Sequence, residues 1–285
     1  MRKALLIFVD GLGMGSDNQN INPVNDAVCP NLLAAFKNHS VAIDAILGVP
    51  GIPQSATGQT SLLTGLNAQK VMGRHVEGFP GPALRKIIHE HNVFEHLKQR
   101  GIPSTFANGY LAHTVEDIHQ ARVKSVTTVA TLSAFGDVRR FHQLESRNAV
   151  SHDLTREALV LRGYSGEHIS PEDAANDLVD IATTYAFTLF EFFQTDRAGH
   201  ACDMENAISV LRKLDKFLAT VLRSAENENL LVMLTSDHGN IEDLSVRTHT
   251  KNPIPFIAIG PDEQAIRDQV RGLDDITPAL LRYLM

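Results

Sequence analysis

Six side chains able to hold divalent cations stand where apolar runs of this 285-residue chain stop or begin. Asp237 and His238 close LLVMLTS, Asp10 closes KALLIFV, Asp196 and His200 follow AFTLFEFFQT, and His249 comes shortly before PIPFIAIG. Short apolar runs ended by a turn predict buried parallel strands, and open α/β sheets carry their chemistry just past the carboxyl ends of such strands. A single Asp-His-Gly-Asn turn would be ordinary turn chemistry. Three carboxylates and three imidazoles at such positions form a pattern. Mixed carboxylate and imidazole donors suit zinc or manganese, whereas magnesium and calcium rarely take His. Six donors exceed the roughly three that a catalytic zinc draws from protein. They suffice for two ions, an arrangement that clamps the attacking and leaving oxygens of an in-line phosphoryl transfer. Two dications would also offset the net charge of −7 where an anionic substrate must bind.

A nucleophile is sought next. In GVPGIPQSATGQTSLLTG, residues 48–65, turn residues lead into a helix-like segment, and Ser55, Thr57 and Thr60 are hydroxyls near its start. Ser and Thr routinely cap helices there. A helix start also gathers backbone N–H groups and the positive end of the dipole, which places a hydroxyl well for attack on an anionic ester. A phosphate-binding P-loop would require Lys where Gln59 stands, and GLGMGS lacks the third Gly of a dinucleotide loop. HEHNVFEH is not a zinc helix either, because Val93 occupies the position four after His89. Arg74, His75, Arg140, His152 and Asp153 are candidates to contact substrate, the arginines by gripping its oxygens.

The elements that must position these groups alternate. Strands are predicted over residues 3–9, 41–47, 104–108, 185–194, 230–236 and 253–260, with helices over 30–38, 82–91, 93–100, 170–184, 205–224 and 277–283. Ser170 with Pro171, Glu172 and Asp173 reads as an N-cap and first turn, and Asn92 as a second cap. The order predicts one α/β domain over 1–285, a doubly wound, mostly parallel sheet flanked by helices. Residues 109–168 have weak periodicity and many ionisable groups, and read as a small cap insertion over the sheet edge.

With 43% hydrophobic residues the chain can bury a sizeable core. Its 26 Lys and Arg are scattered, so no nucleic-acid footprint is evident. Cys29 and Cys202 fit a reducing compartment better than a disulfide framework. Arg2 and Lys3 precede only six apolar residues before Asp10, too few for a signal peptide or membrane span, so a cytoplasmic protein without membrane association is expected. Nothing bears on oligomeric state.

Taken together, LLIFVDGLG, QSATG, TDRAGH, TSDHGNIED and RTHTKNPIPFI resemble, in that order along the chain, the motifs of the alkaline phosphatase superfamily. The similarity is greatest to its branch of cofactor-independent phosphoglycerate mutase and phosphopentomutase. The resemblance implies an alkaline phosphatase-like core over about two thirds of the chain. It implies two divalent ions, one held by Asp10, Ser55, Asp237 and His238, the other by Asp196, His200 and His249. Ser55 would be the nucleophile. The His that usually follows Gly in the mutase nucleophile motif is Gln59 here, and the expected cap has only about sixty residues. These departures favour a phosphohydrolase, acting on a small phosphomonoester or phosphodiester through a phosphoserine. A phosphomutase is the alternative, and a non-catalytic metal-binding protein the second. A sulfatase usually needs Cys or Ser in a C/S-x-P-x-R context, and Ser55 is followed by Ala56, Thr57 and Gly58.

Overall fold

The computed structural model describes residues 1–285. Six strands, β1 (Ala4–Val9), β2 (Ser40–Ile43), β3 (Ser104–Phe106), β4 (Phe187–Phe192), β5 (Leu231–Thr235) and β6 (Ile254–Ile259), form one sheet in the order β2-β6-β5-β1-β4-β3. β5, β1, β4 and β3 pair in parallel, while β6 is antiparallel to both β5 and β2. Every residue of β1, β4 and β5 is buried, which is why these strands read as continuous apolar runs. Helices cover both faces. Leu5, Ile7, Val9 and Phe190 pack with the helices Pro171–Thr184 and Met204–Glu226, whereas Leu6, Phe8, Leu189 and Met233 pack with Ser55–Thr64, Val126–Phe135 and Ile276–Leu284.

Register builds the site. Val9 lies opposite Phe192 and Phe8 opposite Thr235, so β1, β4 and β5 end side by side, and the residues after them emerge along one edge. Because β6 runs the other way, the segment before it enters from the same edge and brings His249 there. This reversal is what allows a residue preceding a strand to join residues that follow strands.

Several expected boundaries shift. β4 stops at Phe192, and Gln194–Ala201 is a helix rather than a strand end and loop. Asp196 and His200 are therefore one helical turn apart on a shared face. β2 ends at Ile43, where Asp44 turns the chain by accepting from the N–H groups of Ile46 and Leu47 at 2.7 and 2.9 Å. Within residues 109–168 the helix Val126–Phe135 contributes Val126, Val129, Ala130 and Ala134 to the main core under the sheet. The short helices Phe141–Glu145 and Glu157–Val160 instead share a small separate cluster of Leu144, Ala149, Leu159 and Tyr164.

Candidate metal centre

Asp10, the first residue after β1, is buried beside the buried Asp237 and His238 that follow β5. His238 Nε2 lies 3.4 Å from Asp10 Oδ1, 3.4 Å from Asp237 Oδ2 and 3.0 Å from Ser55 Oγ. Ser55 is the first residue of the helix Ser55–Thr64, which follows an extended Gln54. No side chain caps that helix, so Ser55 does not spend its hydroxyl on the first turn. The Gln59 side-chain amide donates to Asp10 Oδ2 at 3.2 Å and to Asp237 Oδ2 at 3.1 Å, tying the two carboxylates together.

The second cluster lies against the first. Asp196 Oδ2 is 3.4 Å from His200 Nε2, and Asp196 Oδ1 is 3.4 Å from His249 Nε2. The two Nε2 atoms approach to 3.1 Å, and the His238 and His249 rings stack at 3.6 Å between centroids. Three carboxylates, three imidazoles and a serine hydroxyl from separate parts of the chain thus converge. His238 is within reach of both groupings, Asp10–Asp237–His238 and Asp196–His238–His249.

The donor set fits divalent cations on two independent grounds. His200 Nδ1 lies 2.8 Å from the Arg247 carbonyl and His249 Nδ1 lies 3.0 Å from the Pro53 carbonyl. A carbonyl only accepts, so each ring carries its proton on Nδ1 and directs the Nε2 lone pair at its neighbours. Facing lone pairs 3.1 Å apart beside a carboxylate call for a cation. Second, Asp10 Oδ1 is buried and finds no hydrogen-bond partner in the protein. Burial, and then the charges of Asp237, Asp196 and Glu191, push the Asp10 carboxyl well above its usual range. Burial also lowers His238, which suits a neutral imidazole ligand.

Side chains behind these groups hold them in place. Glu242 accepts from Gly13 N at 2.9 Å, Asn240 N at 2.7 Å, Asn252 Nδ2 at 3.1 Å and the Thr250 hydroxyl, joining the loops after β1, after β5 and before β6. A Cβ at Gly239 would collide with both Glu242 and Thr250. Gly11, at φ +70°, lies so close to Asp196 that a Cβ would come within 2.9 Å of it. Asn240 donates to Asp196 Oδ1 at 2.6 Å, and the Thr195 hydroxyl donates to the Asp10 carbonyl at 2.5 Å.

A cavity of about 620 Å³ opens onto this edge, with Asp10, Ser55, Gln59 and Asp196 in its wall. Of the five expected substrate contacts, His152 lines it, with its ring stacked on Phe193 at 4.4 Å. The other four lie outside the lining for local reasons. Asp153 accepts from the backbone of Arg156 and Ala158 at 3.0 and 2.6 Å and so organises its own turn. Arg140 is paired with Asp137 at 3.1 Å, His75 is hydrogen-bonded to the Val49 carbonyl at 2.9 Å, and Arg74 is exposed beyond the helix Ala68–Met72. The cationic groups in the wall are instead Arg162 and Arg197. Glu191 also lines it, in the row of β4 that Phe187 and Leu189 occupy on that face. Burial raises this carboxyl to about 7, against a hydrogen bond from Thr127 and with the charge of Asp237. A charged residue inside FTLFEFF was the signal that could have singled it out.

A family model described as the metalloenzyme superfamily matches residues 2–285. Among curated proteins, a 2,3-bisphosphoglycerate-independent phosphoglycerate mutase of Ehrlichia ruminantium (strain Gardel) is 23% identical over 214 residues, covering 67% of this chain and 40% of the mutase. The match thus spans 40% of the length of that relative. Among solved structures, a Pyrococcus horikoshii protein superposes with a TM-score of 0.62 at 18% identity, over 99% of this chain and 96% of its own. The alkaline phosphatase of the Antarctic bacterium TAB5 superposes with a TM-score of 0.52 at 14% identity, over 99% and 97%. The sheet and its flanking helices are those of an alkaline phosphatase-like fold. No helix is long and apolar enough to cross a membrane.

Proposed function

The chain belongs to the metalloenzyme superfamily, and from that premise we propose that it transfers the phosphoryl group of a small phosphoester through Ser55. The observation that carries the reading is the position of Ser55 Oγ, 3.0 Å from His238 Nε2, at an uncapped helix start and in the wall of the cavity. Asp10, Ser55, Asp237 and His238 would hold one divalent ion, and Asp196, His200 and His249 the other. Imidazole donors favour zinc or manganese. Such ions, when bound, lower the pKa of a neighbouring hydroxyl and offset charge on the phosphoryl oxygens.

The chain's own groups supply the rest. In the first turn of the helix Ser55–Thr64, Thr57 N is taken by the Val76 carbonyl, while the N–H groups of Ser55 and Ala56 lack intrahelical acceptors and can take a phosphoryl oxygen. The guanidiniums of Arg162 and Arg197 offer charged donors to the substrate's anionic groups. Ser55 Oγ forms the new bond to phosphorus, the bond from phosphorus to the substrate oxygen breaks, and the alcohol leaves after taking up a proton. A second attack frees Ser55. Where another hydroxyl of the same molecule attacks, the product is an isomer; where water attacks, it is inorganic phosphate. The names of the curated relatives favour the isomer. The exposed Gly78 and Arg162 in the cavity wall give water a route and favour hydrolysis as the second reading.

Phosphoester substrates labelled at phosphorus, incubated with the zinc- or manganese-loaded protein, separate these outcomes by scoring labelled isomer against labelled inorganic phosphate. Ser55→Ala should lower either product by on the order of 10³-fold or more while metal is still bound. Undiminished turnover in Ser55→Ala would remove Ser55 from the reaction. Metal binding without any product from the wild type would leave a non-catalytic metal protein.

A further inference from the structure

The lining of the cavity is of two kinds. Beside the carboxylates of Asp10, Glu191 and Asp196 and the hydroxyl of Ser55 it carries Phe79, Phe106, Tyr110 and Phe193, in a chain whose aromatic share is only 6%. Two of the largest exposed apolar side chains of the molecule stand there as well, Phe79 at 52% and Leu161 at 89% exposure. They come from opposite parts of the sequence. Leu161 follows the helix Glu157–Val160, and Phe79 lies on the loop after the helix Ala68–Met72.

Phe193 and Tyr110 are held before any ligand arrives, and the loop carrying Phe79 is anchored three residues upstream of it, at Val76. The Phe79 loop is pinned to the nucleophile helix by two hydrogen bonds, Val76 N to Thr57 Oγ1 at 3.1 Å and Thr57 N to the Val76 carbonyl at 3.3 Å. Phe193 stacks on His152 at 4.4 Å, and the Arg197 guanidinium lies 4.7 Å from its ring centre. The Tyr110 hydroxyl is hydrogen-bonded to Thr128 at 2.6 Å. Aromatic side chains already held in place cost little ordering on binding and reward a flat partner through ring–ring contact. Pockets of roughly 300–1,000 Å³ take ligands of drug size. A three-carbon acid would fill little of this one and leave its rings in water.

We propose that the alcohol portion of the substrate carries a planar aromatic body, seated against Phe79, Tyr110 and Phe193 while its phosphoryl group faces Ser55. This rests on the phosphoryl-transfer reading above and adds the class of alcohol. Leaving-group acidity must be held constant, so the test compares primary-alkyl esters: naphthylmethyl, hexyl and ethyl phosphate, together with 3-phosphoglycerate. The value of kcat/KM should rise by about tenfold or more from ethyl to naphthylmethyl phosphate, equivalent to about 1.4 kcal/mol, with hexyl phosphate between them. Phe79→Leu, which keeps an apolar side chain without the ring, should remove most of that preference through KM.

Calorimetry of naphthylmethylphosphonate against ethylphosphonate, whose C–P bond is not cleaved, reads the same preference without turnover, in the wild type and in Phe79→Leu. Tighter naphthylmethylphosphonate binding that Phe79→Leu abolishes, with no substrate turned over, keeps the aromatic pocket and discards the phosphoryl-transfer reading. Turnover in which hexyl phosphate or 3-phosphoglycerate matches naphthylmethyl phosphate, with equal phosphonate affinities, discards the pocket and keeps the reaction.

Discussion

The edge that carries the candidate metal ligands and the segment over residues 137–164 that covers part of the cavity are built on opposite principles. At the edge, register does the positioning: Val9 opposite Phe192 and Phe8 opposite Thr235 leave Asp10, the Asp196 helix and Asp237 no choice of place. Glu242, 1% exposed, then joins three loops through four accepted hydrogen bonds. Across residues 137–164 there is no strand, the helices span four or five residues, and Arg147, Leu154 and Arg156 take left-handed backbone conformations. Its apolar side chains form a cluster of their own apart from the core. A sheet edge locks reacting groups to within tenths of an ångström, whereas a cover of short turns can change its lining without disturbing them. On the proposed reading the first region would carry the chemistry, while the second, through His152 and Arg162, would adjust how substrate is held beside Phe79, Tyr110 and Phe193.

The largest expected effect tests whether the edge is as cross-linked as it looks. Glu242→Ala strands the N–H groups of Gly13 and Asn240 in a buried site, at about 1–3 kcal/mol for each unpaired donor. A stability loss on the order of 4 kcal/mol in denaturant titration is expected, with metal affinity lowered about 10–100-fold as the ligand loops part. Unaltered metal affinity in a destabilised Glu242→Ala would mean that strand register alone sets the ligands, with the loop cross-link serving stability only.

The same division governs what could be read from the amino-acid order. Asp10, Asp237 and His238 were legible because each ends an apolar run, and a buried strand announces itself by composition. His249 was legible as a residue, but its place depended on β6 running antiparallel, which one sequence does not disclose. The helix carrying Asp196 and His200 was hidden because QTDRAGHA has few apolar positions from which to read a helical period. Gln59 registered as the missing Lys of a P-loop and the missing His of the mutase nucleophile motif, but not as a residue that donates to both Asp10 and Asp237. In the cover, exposed charges look alike. Arg140 and Asp153 were as plausible as Arg162 and Arg197, and only the fold turns the first two to local bonds and the second two to the cavity.

A middle-sized effect is expected on removing divalent ions, which would leave the edge as a crowd of buried acids. Burial lifts Glu191 from 4.5 to about 7, and Asp10 moves in the same direction. A carboxyl with a raised folded value supports the fold fully only below its unfolded value, and that support is lost as pH rises through the folded one. Chelator-treated protein should therefore lose stability between pH 4.5 and about 7, with Glu191 accounting for no more than about 3 kcal/mol of it. Glu191→Gln, which carries no charge at any pH, should flatten that slope in thermal melts of the metal-free protein. An equal slope in wild type and variant would assign it wholly to Asp10 and its neighbours.

The smallest effect sharpens the comparison from the other side. Arg162 is exposed in the cavity wall and has no ion-pair partner among the salt bridges of the fold. Arg162→Ala should leave stability within about 0.5 kcal/mol of wild type, as surface changes usually do. If the cover sets only how substrate is held, KM should rise by roughly fivefold, kcat should change little and the bound metal should stay the same. A fall in kcat with KM unchanged would place Arg162 at the transferring phosphoryl group itself. The cover would then supply part of the reaction, and the line between a fixed edge and an adaptable wall would have to be drawn further out, beyond Arg162 and towards Leu161.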